Sequence, residues 1–145
     1  MKSSLKAITI AVATAATFAT ATAFAAPPAN IGGTTWTLQA NRDSTQLTIT
    51  SQSGPGAPGA ATCRVISGEL GTPPPTIRIH GWYCPSTGRI HFVHQNADSD
   101  NAVRVFTGNI SDNVPGETLY MAGTMTVLYS AFGDYGEYNF SATRQ

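Results

Sequence analysis

Beyond residue 6 the chain contains no lysine. That absence removes Schiff-base and lysine-nucleophile chemistry from everything that follows, the terminal amine aside. Charge of either sign is scarce: eight basic and eight acidic residues make up 11% of 145, with a net charge of zero. A surface that tracks phosphates needs clustered Lys and Arg, so a nucleic-acid partner held by bulk electrostatics is excluded. Cysteine is limited to Cys63 and Cys84, and no further Cys or His stands at ligand spacing from them, so no metal site is expected. No stretch repeats apolar residues at a helical period, and no internal repeat or linker divides the chain. No membrane span is expected, because the one apolar run, near the start, is short and diluted with threonine.

That run belongs to a leader. Lys2 and Lys6 supply a positive start, Ala7 to Ala21 an apolar stretch, and Ala23-Phe24-Ala25 a small-residue cleavage pattern. Residues 1–25 therefore read as a secretory signal peptide, and residues 26–145 as a single domain that is secreted or periplasmic. This domain keeps six arginines against eight acids, a net charge of −2. In an exported protein of this size Cys63 and Cys84 are expected to form one disulfide.

What the chain does have is turn formers and aromatics: 14 Gly, 9 Pro, two Trp, five Tyr and six Phe. Period-two alternation with Thr, Ile, Val and aromatic enrichment predicts eight strands. They are Thr34–Gln39, Gln46–Ser51, Thr62–Leu70, Thr76–Cys84, Arg89–Gln95, Ala102–Ser111, Glu117–Tyr129 and Glu137–Arg144. Ser53 to Gly59 and Gly71 to Pro75 read as loops, Pro85 to Gly88 as a hairpin turn, and Asn96 to Asn101 and Asp112 to Gly116 as connections. Successive strands with short connections predict an all-β fold, an eight-stranded antiparallel up-and-down barrel, with a β-sandwich as the alternative.

An early Thr34-Thr35-Trp36, the strand Gly88–His94 (GRIHFVH), Val105-Phe106-Thr107-Gly108, Thr124–Ser130 (TMTVLYS) and Gly136–Phe140 (GEYNF) occur in that order. On these motifs the chain resembles the avidin/streptavidin family of β-barrels over most of its length after the leader. The resemblance implies a binding protein with a pocket at one mouth and no catalytic residues. Asn139 falls where the family places a side chain that hydrogen-bonds the biotin ureido group, and Phe106 at an aromatic wall. His94 and Thr126 stand where the family has pocket tryptophans, Arg104 and Ala102 where it has small hydroxyl residues, and Leu70 where it has a tyrosine. Ser44 or Asn41 matches an early polar contact. Most of the aromatic box is thus replaced, and the resemblance implies a small polar or anionic ligand, or biotin held weakly. His94, Arg104, Phe106, Thr126, Asn139 and Ser44 are the expected ligand-binding residues. No cofactor is implied, and a homo-oligomer is left open.

Other chemistry finds little support. His91 and His94 are three apart on a strand, point to opposite faces and cannot share an ion. Asn96-x-Asp98-x-Asp100 lacks the later residues of a calcium loop and reads as a hairpin tip. No nucleophile elbow is present, so no enzyme is expected. Arg104 faces inward with Phe106 in one strand register and outward in the other. The alternative function is a scaffold barrel whose outer aromatics, around Trp82 and Tyr83, bind a glycan, a protease or another subunit.

Overall fold

The computed structural model describes residues 25–57, 60–71, 76–95, 102–131, 133 and 135–145. Residues 1–24 of the expected leader, the connection 96–101 with its Asn/Asp motif, and the prolines at 73–75 lie outside them. Eight strands follow in order: β1 (Thr34–Ala40), β2 (Asp43–Ala57), β3 (Ala60–Leu70), β4 (Ile77–Cys84), β5 (Arg89–Gln95), β6 (Val103–Ile110), β7 (Tyr120–Tyr129) and β8 (Gly136–Arg144). Each pairs antiparallel with the next, and β8 pairs back onto β1 through Trp36↔Arg144 to Ala40↔Phe140. That last pairing closes an up-and-down barrel and excludes the sandwich. Among the described residues no helix is long and apolar enough to cross a membrane.

Alternation decides the two faces. Leu38 and Ala40 on β1, Ile90, Phe92 and His94 on β5, Met125 and Val127 on β7, and Phe140 and Ala142 on β8 are buried, while their neighbours are more exposed. Phe92, Phe106 and Phe140 fill the middle of the barrel. Phe92 stacks on Phe106 at 4.6 Å between ring centroids, and Phe140 meets Phe106 edge-on at 5.4 Å. Such contacts contribute about 0.5–1.5 kcal/mol each beyond area burial. Three bulky rings fit because Gly81 stands opposite Phe92 across the β4–β5 ladder. A methyl at Gly81 would collide with the His91 carbonyl oxygen and with Phe92 itself.

Two expectations need correcting. Ser53 to Gly59 is not simply a loop: β2 runs on to Ala57, through Gly54 and Pro55, with irregular register at Ile49/Ser51, Ser53/Pro55 and Pro55/Ala57. Bulges of this kind let a strand carry proline without a regular ladder bond. Tyr83, proposed as surface, is fully buried, and only Trp82 of that pair faces outward. There Trp82 stacks on its cross-strand partner His91 at 5.4 Å. His91 shares a 3.0 Å hydrogen bond with the Thr107 hydroxyl, and partial burial holds its pKa below the usual histidine value. Strand bounds shift modestly, with β2 starting at Asp43 and β7 at Tyr120. Cys63 and Cys84 form the expected disulfide, one step beyond the Arg64↔Tyr83 pair of β3 and β4.

Residues ahead of β1 cover one end of the barrel. The Tyr83 hydroxyl donates to the Pro28 carbonyl at 2.7 Å inside the core. The Gln52 side chain accepts from Ile31 N–H and donates to the Ala29 carbonyl. The Thr34 hydroxyl donates to the Ile31 carbonyl and accepts from the Trp36 indole. Burial pushes the Tyr83 phenol up to about 12. A pKa raised above the ordinary value near 10 stabilises the fold fully below pH 10, and that contribution is lost as pH climbs through about 12. Tyr83→Phe strands a buried carbonyl and is expected to cost about 1–3 kcal/mol in urea unfolding at neutral pH. The variant should also lose less stability than the parent between pH 10 and 12.

Candidate functional site

Among the described residues, nothing covers the end opposite Pro28. Here the two-residue β1–β2 turn, the end of β3, the start of β4, the end of β5, the start of β6 and the β7–β8 ends form a rim. Asn41 starts the β1–β2 turn at a φ of 56°, a left-handed conformation that asparagine tolerates. Below the rim lies a cup of about 380 Å³. That volume falls in the range of small-molecule sites, roughly 300–1,000 Å³.

The cup is apolar with a few polar groups set into opposite walls. Its floor is Phe106, backed by the phenylalanine cluster, with Met125 beside it as Phe106's cross-strand partner. Leu38, Leu70, Ile77 and Val127 make aliphatic sides, and Tyr138 stands next to Met125. His94 and Arg104 are cross-strand partners on β5 and β6, one level above the floor. His94 is 4% exposed, Arg104 half-buried. Asn41, Asp43 and Thr45 supply polar groups at the β1–β2 hairpin.

His94, Arg104 and Phe106, three of the six expected residues, come together in this cup. Arg104 takes the inward register with Phe106, which settles the orientation left open by the sequence. Thr126, Asn139 and Ser44 do not reach the cup, because strand parity turns them outward. Thr126 lies between Met125 and Val127, which face in, and Asn139 lies between Tyr138 and Phe140. Ser44 pairs with exposed Gln39 on the outer surface, and its neighbour Thr45 lines the cup instead. The motif resemblance placed Thr126 and Asn139 by sequence order, whereas the alternation of Met125, Val127, Tyr138 and Phe140 already pointed the other way. Leu70 and Asn41, raised by the resemblance, do line the cup. Asp43 was missed, since it lay outside the strand read from alternation, whereas Ile77 was read within a strand but not as part of a site.

No protein-family model matches the chain, and no curated protein is significantly similar to it. The barrel itself is closed, antiparallel and eight-stranded, which is consistent with the avidin/streptavidin class of barrels.

Proposed function

We propose that the protein is an exported, non-catalytic binding barrel that holds a small molecule in the cup at its open end. The observation that carries this is the cup's construction. An aliphatic and aromatic lining of about 380 Å³ is interrupted by a few convergent polar groups on a rigid closed sheet. Ligand sites are built this way, because the apolar wall supplies affinity and sparse polar groups supply orientation. Export is supported by the leader pattern and by the Cys63–Cys84 disulfide, which persists in oxidising compartments. The likeness to avidin extends in this proposal to the use of one barrel mouth. Biotin is then a weak ligand, because Leu38, Leu70, Ile77 and Val127 offer aliphatic contact where stacking rings would be needed.

The test uses a neutral apolar fluorophore, N-phenyl-1-naphthylamine, with the oxidised protein. The dye should brighten on the parent. Ala40→Phe, which fills the cup from the β1 rim, should weaken dye binding by roughly tenfold or more while melting cooperatively. No brightening on the parent, or equal brightening on a folded Ala40→Phe variant, would overturn the proposal.

A further inference from the structure

We infer that the ligand of this cup is a monocarboxylate with a short apolar body, its head held at Arg104 and its body lying on Phe106. This inference rests on the binding reading above and adds the chemical class. Three placements carry it. First, Arg104 and His94 stand directly opposite each other on β6 and β5 and both line the cup. Cross-strand partners hold their Cβ atoms about 5 Å apart, so the two side chains serve one small group together. A guanidinium offers a planar fork that matches a carboxylate in two parallel hydrogen bonds, and an adjacent imidazole adds a further polar contact.

Second, Arg104 and Phe106 are two residues apart on one strand and face the same way. An extended strand rises about 7 Å over two residues. The charged head therefore sits one step toward the mouth from the aromatic floor. A body of a few carbons spans that step and spreads against Met125, Leu38 and Val127. A long chain would meet the Phe92–Phe106–Phe140 cluster and have to leave by the mouth.

Third, the cup has one acid among its described lining residues, Asp43 on β2. In a ring of eight strands β2 lies diametrically opposite β6. A ligand bearing one carboxylate places it on the Arg104 wall, away from Asp43. A second carboxylate at the far end of the ligand would point toward Asp43 and be repelled. The arrangement thus selects for charge number as well as sign.

Calorimetry on the oxidised protein at low ionic strength tests this with octanoate, its neutral isostere octanamide, and octanedioate. Octanoate should bind about tenfold or more tightly than octanamide, a ratio typical of one charge-assisted pair. The preference should shrink as salt is added, and octanedioate should bind more weakly than octanoate. In Arg104→Gln the preference for octanoate over octanamide should collapse toward unity. Arg104→Lys should retain part of the preference, a charge without the fork. Equal binding of octanoate and octanamide by the parent would overturn the carboxylate class and leave the cup standing as a neutral site. Binding of octanedioate as tight as octanoate would overturn the one-charge selection. Binding of none of the three, together with no dye brightening, would remove the binding reading itself.

Discussion

Phe106→Ala is expected to cost about 3–5 kcal/mol, the range for deleting a buried aromatic ring. Phe106 is 1% exposed and central to the ring cluster, stacked on Phe92 with Phe140 against its edge. Truncation removes the contacts of both rings and leaves a void that a closed barrel collapses into poorly, since every strand is fixed by two neighbours. The same ring is the floor of the cup, so the void opens into the site. Urea unfolding should show a lower midpoint with an unchanged slope, the sign of lost stability without a changed unfolding transition. The variant should also accept bulkier apolar ligands than the parent. A loss below about 1 kcal/mol would mean that the cluster does not form the barrel's centre as described.

Removing the disulfide, as Cys63→Ala with Cys84→Ala, should cost about 3 kcal/mol, the chain-entropy value for a loop of this length. The two cysteines are 21 positions apart and clamp the start of β3 to the end of β4. The clamp lies at the end of the barrel covered by residues ahead of β1, away from the cup. Its loss should therefore lower the unfolding midpoint while leaving dye affinity of the folded protein as in the parent. A reducing agent added to the parent should reproduce the shift. Equal stability with and without the bond would contradict the constraint, and a changed affinity would contradict the separation of clamp and cup.

Much of this architecture was legible in the chain itself. Alternation located all eight strands, because a half-buried strand writes its face into every second residue, and the cysteine count alone gave the disulfide. Alternation does not say which face is the inside. Arg104 stayed ambiguous until the β6 register placed it beside His94, and a slip of one residue would have turned it out. Short motifs misled where they competed with parity. Thr126 and Asn139 matched a family order yet sit on the outer face beside inward Val127 and Phe140. The extension of β2 through Pro55 was hidden because proline and glycine ordinarily mark a loop, and only the bulged pairing with β3 reveals the strand. The cover of the closed end was hidden too. Its bonds, such as Tyr83 to Pro28, join residues 55 positions apart and leave no local signature.

The central claim, a ligand cup at one end of a barrel sealed by its own aromatic core, can be tested with two methyl groups. Beyond Met1 the chain has two methionines, Met121 and Met125, both on β7. Met125 lines the cup, while Met121 is buried four residues further from the mouth, against Ala142 and Ile110. With carbon-13 in the methionine methyls, titration with octanoate should move the Met125 signal saturably and leave Met121 in place. Movement of both signals alike, or of neither with octanoate and with N-phenyl-1-naphthylamine while the protein stays folded, would contradict a cup at this mouth.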